Sequence, residues 1–136
     1  MEQLAVYLAL NGVAVLTVSA VTGLVLWRVL YHDSDGTDWH LVHASGSVRG
    51  VFLIALAAII DLPALPERLV AIAAWLIILF TWTSLLAMII RAFTGERGFH
   101  SGGSKANSAV FALYAIGAVA LFPGCAILIV GLLRSL

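Results

Sequence analysis

Two side chains of this sequence combine chemical reactivity with an unfavourable location: the imidazole of His43 and the guanidinium of Arg49 both fall in the stretch Trp39 to Ile60, one of four that read as membrane-crossing. An Arg at the centre of a membrane helix costs about 2.5 to 3.5 kcal/mol on insertion scales, so its presence points to function. A neutral imidazole ligates metals or carries protons. A guanidinium recognises anions and oxygen acceptors through paired hydrogen bonds. Along a helix, His43, Gly46, Ser47 and Gly50 recur at i, i+3, i+4 and i+7 and share one stripe, a histidine followed by small side chains. At about 100° per residue, Arg49 points roughly 120° away from His43, so the two cannot address one group from the same helix.

Two readings fit the stripe, and spacing leaves both open. In the first, Gly46 and Gly50 form a close helix contact of the small-xxx-small kind, with His43 hydrogen-bonding across it. In the second, the small residues leave room for a flat macrocycle, a haem, whose iron His43 ligates. His40 lies three residues earlier and about 60° round the helix. No Glu completes an H-E-x-x-H arrangement and no Cys is near, so a closed zinc site lacks ligands here. His40 therefore reads as a polar group near the membrane interface, or as a partner for a haem propionate. His32 and His100 lie in connectors and read as solvated, although His100 can fold over a site with its glycine-rich connector, which lacks the P-loop order. In the third span Trp82 sits at mid-depth rather than in the interfacial belt. Trp82, Thr83, Ser84 and Met88 read individually as packing residues, and together with His43 they can wall a pocket. Arg91 reads as a headgroup anchor and Cys125 as a packing thiol.

The elements that must position these residues follow from composition. Of 136 residues, 62% are hydrophobic and 10% charged, and the mean hydropathy is +1.10. Such a chain needs lipid as its solvent. The expected fold is all-α, a single domain over 1–136 forming an integral membrane bundle of four transmembrane helices, with spans near 4–30, 39–60, 67–90 and 108–133. The second span is continuously apolar only from Val51 to Ile60, so its polar first half has to be sheltered by protein. Seven basic and seven acidic residues balance, which excludes an electrostatic case for nucleic-acid binding. No basic residue precedes the first apolar run, which reads as a retained helix rather than a signal peptide. Asp38 is expected to cap the second helix, Pro66 to open the third, and Pro123-Gly124 to kink the fourth. Three connectors among four spans put both termini on one side. Arg28, Arg91, Arg97 and Lys105 against Arg68 and Arg134 favour termini outside.

The order Trp39-x-x-x-His43, Gly50, the Leu62-Pro63 turn, mid-span Trp82, Phe93 and Arg97-Gly98 resembles the styrene oxide isomerases, with similar separations. The first helix, with Asn11-Gly12, Gly23-Leu24 and Leu26-Trp27, is similar too. The resemblance spans nearly the whole chain. It implies a small homotrimeric membrane enzyme with haem b at each subunit interface and His43 as its axial ligand. Ferric iron would act as a Lewis acid that isomerises an epoxide to a carbonyl compound, without redox turnover or cosubstrate. Gly46, Ser47, Gly50, Trp82 and His40 would then surround the cofactor. Arg49, Met88 and Ser84 would face the substrate, standing where the family carries asparagine, tyrosine and asparagine respectively. The ligand is kept while the polar groups change, which shifts the expected substrate from styrene oxide to another small apolar molecule containing oxygen. In a three-fold ring His43 and Arg49 of neighbouring copies can serve one interface. The other classes in view are a non-catalytic haem b module for electron transfer or gas sensing, and a bundle without cofactor. The expected location is the cytoplasmic membrane of a prokaryote.

Overall fold

The computed structural model describes residues 1–136 and contains four helices: α1 (Glu2–Tyr31), α2 (Thr37–Ile59), α3 (Glu67–Thr94) and α4 (Lys105–Leu133). All four are long and apolar enough to cross a membrane. This is a multi-pass membrane protein, and large apolar side chains such as Leu24, Trp27, Val48, Val119 and Phe122 point outward, as lipid solvation requires.

α1 packs along α2 and α3 along α4, while α3 also contacts α2 and, more thinly, α1. α4 packs its backbone closely against α3 alone among the helices, so α3 is the central element, and an open cleft lies where α2, α3 and α4 meet. The main core runs through Leu8, Val15, Leu53, Val70, Ile77 and Leu85. Glycines bring the paired helices close: a Cβ on Gly50 would sit 2.9 Å from the Gly12 carbonyl oxygen of α1, and one on Gly124 would sit 3.2 Å from the Ala73 oxygen of α3. α4 continues through Pro123 as one helix.

The Met1 amino group meets Glu67 at 3.1 Å, and the Ser135 hydroxyl donates to the Leu62 carbonyl at 2.6 Å. Both termini therefore lie at the α2–α3 connector. At the other end, Gly95 terminates α3 in the left-handed conformation with φ 73°, and its N–H donates to the Arg91 carbonyl at 2.8 Å. Asn107 then gathers the third connector. Its amide accepts from Gly98 N–H at 2.9 Å and donates to the carbonyls of His100 and Gly102 at 2.8 and 2.7 Å.

Two local expectations are corrected. Asp38 does not cap α2, because the helix starts two residues earlier than the apolar pattern suggests. Gly36 is the cap, and Asp35 accepts from the Thr37 N–H and hydroxyl at 2.9 and 2.6 Å. Nor does Arg91 reach out as a free headgroup anchor. In the first turn of α2, Asp38 faces the end of α3, and its carboxylate takes both Arg91 Nε and Nη2 at 2.8 Å.

Candidate functional site

The α1–α2 seam is tied by a small polar cluster. Ser47, one turn beyond His43, donates back to the His43 carbonyl at 2.9 Å, and its hydroxyl meets that of Ser19 on α1 at 2.8 Å. Ser19 also donates to the His43 carbonyl. The His43 ring lies over Gly23, where a Cβ would come within 2.8 Å of Nδ1, and Nδ1 is 2.7 Å from the Ser19 carbonyl oxygen. A carbonyl oxygen only accepts, so Nδ1 carries the proton and Nε2 keeps its lone pair. Nε2 has no partner within the protein, and no side-chain polar atom is both buried and unpartnered. It follows that Nε2 reaches the protein surface. An imidazole whose Nδ1–H is fixed by a carbonyl and whose Nε2 is free is prepared as a ligand.

The sequence-identified stripe divides on this seam. Gly46 and Gly50 are buried against α1, beside Ser19 and Leu16 respectively, and Gly46 also nears Leu85 of α3. They set the helix approach, while Ser47 fixes the His43 backbone. His40 is exposed one turn nearer the membrane surface, in a hollow with Leu26, Leu30 and Gly36. Ser19 and Gly23 complete the site and were missed as site residues, because a small residue in an apolar helix shows its role only once its partner helix is placed.

Arg49 occupies the other flank of α2. Its Nη1 donates to Met88 Sδ at 3.5 Å, and its guanidinium lies 5.5 Å from the centre of the Phe80 ring. It borders an open, mainly apolar cleft of about 510 Å³ where α2, α3 and α4 come together. No carboxylate pairs with it, since the two ion pairs of the chain are Met1 with Glu67 and Arg91 with Asp38. Ser84 does not join this pair: it is buried and its hydroxyl returns to the Phe80 carbonyl at 2.6 Å on its own helix. Trp82 donates to the Asn11 side chain at 2.8 Å and so joins α3 to α1. His32 and His100 are exposed, and no three His, Cys, Asp or Glu side chains converge to hold an ion.

The molecule is thus a four-helix membrane protein with one locked imidazole on one flank of α2 and one unpaired guanidinium on the other. The model of the styrene oxide isomerase family matches residues 4–133, which takes in nearly all of the four helices, and the chain belongs to that family. A comparison with curated proteins gave no match.

Proposed function

We propose that this chain is a haem b isomerase of a prokaryotic cytoplasmic membrane that converts an epoxide to a carbonyl compound, with His43 as the haem ligand. The observation that carries this reading is the His43 lock, in which the Ser19 carbonyl fixes the Nδ1 proton and leaves Nε2 free at the surface of a membrane-spanning pair. The residues fit the group. A porphyrin brings four of its own nitrogens, so one imidazole suffices, and this chain offers one at membrane depth. When bound, ferric haem supplies a Lewis acid for the epoxide oxygen, with no net oxidation or reduction.

The chain's own residues do the remaining work. Ser19 orients the imidazole and raises its basicity as a ligand. Gly23 allows the ring to lie against α1, while Gly46 and Gly50 keep α1 and α2 close enough for the Nδ1 bond to form. His40, nearer the interface, is placed to meet a propionate. Because His43 faces α1 and Arg49 faces α3, one copy cannot present both to a shared ligand. In a homotrimeric ring the His43 flank of one copy meets the Arg49 cleft of the next, and lipid-like walls around the joint exclude water from the reacting oxygen.

An absorption spectrum with a pyridine haemochrome assay on detergent-purified protein tests the reading. The expected result is a Soret band, about one haem b per chain, and loss of that band in His43→Ala with the helical content unchanged. Full haem retention by His43→Ala would overturn it. Gas chromatography of epoxide incubations then separates an isomerase from a haem module that only cycles with dithionite and oxygen.

A further inference from the structure

The Arg49 cleft raises a question of charge that the haem ligand does not answer. Arg49 stands twelve residues into α2 and ten from its end, which places it roughly 18 and 15 Å from the two helix termini. A cation at that depth is stable only with a partner. The seven acidic residues of the chain are Glu2, Asp33, Asp35, Asp38, Asp61, Glu67 and Glu96. All lie in connectors or first helical turns, and the nearest along α2, Asp38, is taken by Arg91. A second copy inserted in the same sense carries its carboxylates at the same depths, so the side chains of a neighbouring copy cannot supply the missing anion. Met88 Sδ at 3.5 Å and the Phe80 face are weak acceptors that leave most of the guanidinium donors unused. The walls around it, Val48, Phe52, Phe80 and Leu121, are apolar and include two aromatic rings.

We propose that the Arg49 cleft binds a small ligand that joins a carboxylate to an apolar body, the carboxylate pairing with the guanidinium and the body lying on Phe52 and Phe80. Two sources share this chemistry: an aryl or short-chain acid taken up as substrate or product, and a fatty acid from the bilayer. If the isomerase reading holds, the first source makes the substrate an epoxide that bears an acid group. The site itself needs no haem, because its walls come from α2, α3 and α4, whereas the His43 ring is turned to Gly23 and Ser19 of α1.

The test is isothermal titration of the detergent-purified protein with phenylacetate, its neutral analogue phenylacetamide, and dodecanoate, repeated on Arg49→Gln and Arg49→Lys. Binding of either acid, at least about tenfold weaker in Arg49→Gln and partly kept in Arg49→Lys, is expected, with the amide weaker than phenylacetate. Preference for phenylacetate identifies the substrate-like source, and preference for dodecanoate the lipid. Equal binding of acid and amide, unchanged acid binding in Arg49→Gln, or no acid binding to the wild type would each overturn the proposal. Circular dichroism of the variants establishes that they are folded. The Soret band is read on the same samples, so a failure of the haem reading shows separately from a failure of the anion site.

Discussion

Replacing Gly23 with alanine perturbs the histidine lock without touching the histidine. The added methyl would lie 2.8 Å from Nδ1 and 2.9 Å from Cε1 of His43, where ordinary contact begins near 3.4 Å. The imidazole therefore has to retreat by about 0.6 Å, and its 2.7 Å bond to the Ser19 carbonyl lengthens by up to that amount. A neutral hydrogen bond contributes about 0.5 to 1.5 kcal/mol net. Losing the orienting partner of a metal-bound histidine typically costs about 10- to 100-fold in affinity. The expected outcome is a drop of about tenfold or more in haem affinity, measured by titrating haem into haem-depleted protein and following the Soret band. Helix weakening cannot mimic this, because alanine is favoured over glycine in a helix by about 1 kcal/mol. Wild-type haem affinity in Gly23→Ala would refute the reasoning, since the ring would then not depend on its seat against α1.

Gly50→Ala puts a Cβ 2.6 Å from Leu16 Cγ and 2.9 Å from the Gly12 carbonyl oxygen, and a backbone atom can yield only if the helices part. It should cost about 1 to 3 kcal/mol in thermal unfolding in detergent, whereas Gly102→Ala, with nothing within 4 Å of its Cβ, should be nearly silent. Equal melting temperatures for the two variants would contradict the close approach of α1 and α2. At the start of α2, hydrogen bonds from the Thr37 hydroxyl and N–H hold the exposed Asp35 carboxyl below its ordinary range. A depressed folded value means that the contribution is present at neutral pH and is lost as pH falls through that value. Thr37→Ala should therefore lower stability slightly at neutral pH and merge with the wild type in acid, with the Asp35 titration shifting upward by NMR.

The four spans were readable because lipid demands long apolar runs, and the polar first half of α2 stood out because it breaks that demand. The arrangement of the helices was not readable. In a soluble bundle an apolar stripe marks the inward face, but when both interior and solvent are apolar the stripe disappears, and nothing in α3 announces that it is the central helix. The same loss of contrast hid Ser19 and Gly23, ordinary small residues until His43 is set against them. Arg49 and Met88 were identified separately and do meet, whereas Ser84 turned back to its own helix, a choice open to any serine in a span. The Asp38 error came from starting α2 at its first apolar residue. The helix begins earlier, on Thr37, and charge pairing with Arg91 takes the carboxylate.

Every hydrogen bond that holds His43 in place comes from the hairpin of α1 and α2, through Ser19 and Ser47. Translation delivers the N-terminal half first. The histidine seat can thus be finished while α3 and α4 are still being synthesised, whereas the Arg49 cleft has to wait for Phe80 and Leu121. Biogenesis consequently has a built-in order, in which the hairpin and its oriented imidazole are complete before the chain owns a cleft around Arg49.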